Sequence, residues 1–179
     1  MSARHFIRNI CQKEVMEIKP DIVDELFRRY YNEALLYTLS LCRNMTIAED
    51  IVSTAFYKAL ASADDSISNF KPWLLSVCRN EFISLCRKNS RFTGDEIPED
   101  MADDKEAPID SIIRSEEYRL LYHAISLLKP AQKEVITLFY FSGLQIKDIA
   151  SITGKSEANI KVLLYRGREE LKKMMEDKQ

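Results

Sequence analysis

Only four glycines and five prolines interrupt the 179 residues, too few for a turn-rich sandwich or barrel, and that scarcity points to long helices. The two histidines, His5 and His123, lie far apart in the chain. Cys11, Cys42, Cys78 and Cys86 contain no CxxC pair and no metal-like spacing with either histidine. They are expected to be reduced thiols packed as small apolar side chains. A glycine-rich phosphate loop and a nucleophile motif are also missing, so catalysis has no carrier and no cofactor is expected. No apolar run approaches the roughly 18–20 residues a membrane helix needs, and no secretory core opens the chain. A cytoplasmic protein that is not an enzyme is predicted.

What the chain does have is charge, and it is segregated. The net charge is only −2, yet Lys71 to Arg91 carries Lys71, Arg79, Arg87, Lys88 and Arg91 against the single acid Glu81. Asp95 to Asp110 reverses this, with eight acids against Lys105. Local surfaces of this kind, rather than the total, decide attraction to nucleic acid.

Apolar spacing then outlines the elements. Leu26, Phe27, Tyr30, Ala34, Tyr37 and Leu41 keep a helical period from Asp21 to Arg43, after a start at Pro20. A break at Asn44–Thr46 precedes a second helix, with Ile47, Ile51, Ala55 and Leu60 inward. The polar stretch Ala61–Lys71 reads as a loop. Helix returns over Lys71–Arg91, with Pro72 tolerated in the first turn and Trp73, Val77 and Ile83 inward. The acid-rich run that follows has almost no core residues and reads as a linker. Beyond it Ile113, Tyr118, Leu121, Tyr122, Ile125 and Leu128 form a further helix, and Pro130 opens the next, with Val135, Leu138 and Phe139 as its core. Gly143 stops that helix.

The last segment is the most specific. Ile146, Ile149 and Ala150 make a short apolar stripe before a turn at Gly154. Ile160, Leu164, Gly167 and Leu171 then place small or apolar residues on one face of a second helix, which leaves Lys161, Arg166, Arg168, Lys172 and Lys173 on the rest. Two helices joined by a glycine turn, the second basic and started by Ser156, are a helix-turn-helix whose second member fits a DNA major groove.

A second signature narrows the reading. IAEDIVSTAFYKAL followed by WLLSVCRNEFISLCRKNSR resembles region 2 of the extracytoplasmic-function (ECF) bacterial sigma factors. AISLLKPAQKEVITLFYFSGLQIKDIASITGKSEANIKVLLYRGREELKK resembles their region 4. The resemblance implies an all-α protein of two small helical domains: an extension at 1–20, region 2 at 21–93, an acidic flexible linker at 94–111 and region 4 at 112–179. It also implies a factor that docks on core RNA polymerase, reads the −35 promoter element as duplex and the −10 element as melted strand, and is held by an anti-sigma partner.

The same resemblance assigns side chains. Lys155, Ser156, Glu157, Asn159, Lys161, Leu163, Arg166 and Arg168 are expected at the −35 duplex, with Asn suited to adenine, Glu to cytosine, and Lys to guanine or phosphate. The family has arginine where Leu163 stands and serine where Val162 stands, so Leu163 is expected to meet a thymine methyl or a partner. Asn69, Phe70 and Lys71, with Asn80, Ser84, Arg87, Lys88 and Arg91, are expected at the −10 strand, Phe70 as an aromatic wall; Trp73 is expected in the core. Glu49, Asp50, Ser53 and Thr54 are expected to face the β′ clamp helices, and region 4 the β flap. The acidic linker is expected to sit in the basic path that later holds RNA. Two other classes fit parts of the pattern: a stand-alone helix-turn-helix regulator, and a polymerase-binding module that reads no promoter.

Overall fold

The computed structural model describes residues 20–62, 69–89, 121 and 123–176, and among these every regular element is helical. The acidic run and the N-terminal extension before Pro20 lie outside the described residues, as do Arg91, Ile113 and Tyr118. So does the side chain of Leu60.

Three helices build the N-terminal half: α1 (Pro20–Cys42), α2 (Met45–Ser62) and α3 (Phe70–Asn89). Each packs on the other two. The break between α1 and α2 is only two residues long, and Thr46 belongs to α2. Arg43 makes the reversal in a left-handed conformation (φ 51°), an arrangement that costs a residue with a Cβ about 1–2 kcal/mol. Two bonds offset it: the Arg43 amide donates to the Leu39 carbonyl at 2.9 Å, and its guanidinium donates to the Ser126 carbonyl at 2.5 Å. Asn44 then starts α2, its Oδ1 accepting from the Ile47 amide at 3.1 Å. Tyr37, Val52, Leu74, Leu75, Cys78 and Phe82 fill the centre.

In the C-terminal half, a helical turn at 123–126 leads to α4 (Pro130–Ile136), α5 (Ile146–Thr153) and α6 (Glu157–Glu176). Proline opens α4 because its missing amide would have no helical partner there. The helix read as continuous through Phe139 instead widens into a π-helical turn at Thr137–Phe141. The Ser142 amide reaches the Thr137 carbonyl at 3.1 Å, and Gly143 (φ 58°) then ends the run. Val135, Leu138, Leu144, Ile149, Ile152, Ile160 and Leu164 are buried together.

The two halves share one core. α3 packs on α5, and α1 packs on α4 and on the π turn. At this seam Glu134 of α4 accepts two hydrogen bonds on Oε1, from Tyr37 Oη at 3.1 Å and from Arg79 Nε at 2.8 Å. The Arg79 and Glu134 side chains are 8% and 1% exposed. Arg79, counted in the sequence among the residues of a basic surface, is therefore a buried partner of a buried acid. Two signals for this were present: Arg79 falls between Leu75 and Phe82 at core register, and Glu134 falls four residues before Leu138.

Candidate nucleic-acid interface

The face of α6 is set from both ends. Gly154 closes α5 in a left-handed conformation (φ 69°) that favours glycine. Ser156 then caps α6, its Oγ accepting from the Asn159 amide at 3.2 Å. Ile160, Leu164 and Gly167 are buried against the rest of the half. At Gly167 a Cβ would stand 3.0 Å from Ile136 Cγ1, so glycine lets α6 approach α4 closely.

This seating turns Glu157, Asn159, Lys161, Arg166 and Arg168 out to solvent, and Lys155 stays half-buried in the turn. Arg168 also bonds its own helix, Nε to the Leu164 carbonyl at 3.3 Å. One expectation is corrected. Leu163 is not an outward apolar residue; it is partly buried and packs on the core. Its neighbour Val162 is the exposed one, together with Tyr165. Leu163 sits at the border of the buried stripe, where helical period alone does not decide inside from outside.

On α3, Asn80, Ser84, Arg87 and Lys88 recur at i, i+4, i+7 and i+8 and are all exposed, which makes one polar and cationic face. The residues expected to form a loop before it are placed differently. Asn69 is exposed just outside the helix, but Phe70 and Lys71 form its first turn. The Phe70 ring lies 5.4 Å from Tyr30 and 6.1 Å from both Phe56 and Trp73 (centroid distances), so it belongs to an aromatic cluster rather than to an open wall. Trp73 is partly buried against the core, as expected. Lys71 pairs with Glu33 of α1 at 2.5 Å.

On α2, Glu49 and Asp50 are exposed, with Ser53 and Thr54 half-buried one turn further on. Burial, then the nearby Glu49 carboxylate, raise the Tyr31 phenol above its ordinary range. The thiols are inert by the same physics. Cys42, Cys78 and Cys86 are buried and unbridged, and burial pushes the Cys78 thiol up to about 12. Among the described residues no cluster of His, Cys, Asp or Glu could hold a metal, and no helix is long and apolar enough to cross a membrane.

Comparison with known proteins agrees with this layout. Residues 26–92 match Sigma-70 region 2 and residues 118–171 match Sigma-70 region 4. The chain is 31% identical to the ECF RNA polymerase sigma factor SigM of Bacillus subtilis, over 84% of this chain and 93% of that protein. It is 28% identical to the RNA polymerase sigma factor YlaC of the same organism, over 87% and 92%. Among solved structures it resembles the sigma factor RpoE of Bartonella quintana, crystallised with the anti-sigma factor NepR, with a TM-score of 0.63, 25% identity and coverage of 86% and 96%. A capped basic helix-turn-helix following a helical unit that bears an acidic edge and a cationic face, with both regions matched in order, makes this chain a member of the ECF RNA polymerase sigma factor family.

Proposed function

We propose that the chain binds core RNA polymerase and directs promoter-specific initiation, with residues 21–93 acting on polymerase and the melted −10 strand and residues 112–179 on the −35 duplex. The polymerase does the chemistry, and the chain works where the polymerase is, in the cytoplasm. The observation that carries this reading is the pairing of two outward faces on rigid helices. α6 presents Glu157, Asn159, Lys161 and Arg166 from a capped N-terminus, the end that reaches base edges in a major groove. α3 presents Asn80, Ser84, Arg87 and Lys88, a strip suited to a single strand whose phosphates need neutralising. With the half-buried Phe70 ring held in its aromatic cluster, the exposed Asn69 is the described residue at that end placed to contact an unstacked base.

Glu49 and Asp50, with Ser53 and Thr54 beside them, are the edge offered to polymerase. An anti-sigma protein is the expected regulator, by likeness to the RpoE–NepR complex.

The test is run-off transcription with bacterial core polymerase on DNA from upstream of the chain's own gene. A discrete transcript that needs the protein, and disappears with Lys161→Ala plus Arg166→Ala, is expected. Core binding without a transcript would leave a polymerase-binding module. Neither core binding nor transcript would leave a stand-alone DNA-binding regulator.

A further inference from the structure

The outermost line of α6 is apolar where a solvated helix would be polar. Ala158, Val162 and Tyr165 follow at i, i+4 and i+7, opposite the buried stripe of Ile160, Leu164 and Gly167. Val162 is 45% exposed and Tyr165 60%. Both flanks of this ridge carry exposed cations, Lys161 and Arg168 on one side and Arg166, beside Asn159, on the other, with the acid Glu157 one turn before Lys161 at the start of the helix. One turn beyond Tyr165 the line becomes Glu169, so the apolar ridge is confined to the N-terminal half of the helix.

That cross-section has a specific complement. A major groove is about 12 Å wide, and a helix with its side chains is about 10–12 Å across. Seated in it, the helix turns its outermost line to the groove floor and its flanks toward the groove's sides, where side chains reach outer base edges and the phosphate walls. Cations on both flanks suit two phosphate walls. The one apolar group on the floor of a major groove is the C5-methyl of thymine.

We propose that the Ala158–Val162–Tyr165 ridge reads thymine methyls, so that the duplex element recognised by this chain carries thymines at two or more positions under α6. This rests on the function proposed above and adds to it the chemical group recognised. The role expected for Leu163 passes to Val162. Seven residues of rise from Ala158 to Tyr165 cover about 10 Å, roughly three base steps at about 3.4 Å each. Removing a methyl from such a contact should weaken binding about four-fold, equivalent to about 0.8 kcal/mol for one buried carbon.

Deoxyuridine tests this directly, because it keeps every hydrogen-bonding group of thymidine and lacks only the methyl. The full chain with core polymerase would enrich a duplex from a randomised library, and each thymine of its −35 segment would then be replaced singly by deoxyuridine. Expected are about four-fold losses in affinity at two or more positions, with Val162→Ser abolishing the loss at one of them. A specifically bound duplex with no thymine in that segment, or with no sensitivity to deoxyuridine, overturns the proposal while leaving the function standing. Loss of core polymerase binding in Val162→Ser, with unchanged deoxyuridine sensitivity, overturns it in favour of a protein contact. Failure to enrich any duplex beyond core polymerase alone sinks the promoter-reading function and this inference together. The deoxyuridine scan needs no variant, so misfolding cannot obscure it.

Discussion

Replacing Glu134 by alanine should loosen the seam between the two halves. The carboxylate oxygen that accepts from Tyr37 and Arg79 is lost, while Arg79 stays 8% exposed and charged with no counterion. Removing one member of a buried ion pair costs about 3–5 kcal/mol, most of it from the charge left behind. The Tyr37 hydroxyl, fully buried, also loses its acceptor, and an unsatisfied buried donor costs about 1–3 kcal/mol. The molecule can escape part of this by parting α4 from α1 and α5 from α3, which lets water reach Arg79. The observed loss is therefore capped by the free energy that docks the halves, and about 3 kcal/mol is expected.

Urea unfolding followed by two probes would read it. Trp73, the only tryptophan, reports on the N-terminal half, and helical circular dichroism reports on both. Coincident transitions are expected in the parent protein, and an early circular-dichroism phase ahead of the Trp73 transition in Glu134→Ala. A double-mutant cycle with Arg79→Ala should give a coupling above about 1.5 kcal/mol. The paired replacement Glu134→Leu with Arg79→Met should recover most of the stability, since a packed apolar pair often matches a buried ion pair. A loss below about 0.5 kcal/mol with no coupling would refute the claim that this pair holds the seam.

Three further predictions follow from single sites. Gly154→Ala meets no atom within 4 Å, so its cost is purely that of a Cβ at φ 69°, about 1–2 kcal/mol, checked by thermal unfolding. The thiols make stability fall at alkaline pH. Unfolded Cys78 ionises near its ordinary value of 9.0, whereas in the fold it holds its proton to about 12. The unfolded state thus binds fewer protons in that window, and stability declines as pH rises from 9 to 12. Lys133 acts in the opposite sense. Burial, then the nearby Arg43 cation, lower it from 10.5 to about 8, so between these values the unfolded state binds more protons and stability gains. Chemical denaturation across pH 8–12 should accordingly decline less steeply in Cys78→Ala, and in Lys133→Met should lose the gain between 8 and 10.5.

The chain's local signals were sufficient for several helix starts and stops and for the face that a helix buries. Pro20, Pro130, Gly143, Gly154 and Ser156 start or stop their helices where they stand because each acts through its own φ angle, missing amide or side-chain oxygen. The buried stripe of α6 was legible for the same reason, since Ile160, Leu164 and Gly167 share a face by helical period alone. Tertiary structure decided what lies on the borders of such stripes and what meets across the chain. Leu163 went inward and Val162 outward because neighbouring elements cover one edge of α6 and leave the other bare. Phe70 left the proposed strand-binding loop because Tyr30, Phe56 and Trp73 gave its ring a place to bury. Arg79 and Glu134, 55 residues apart, could be paired only by the fold. A charge at core register shows that a partner is required, but only the docking of α4 on α1, which brings Glu134 within reach of Arg79 on α3, says which one.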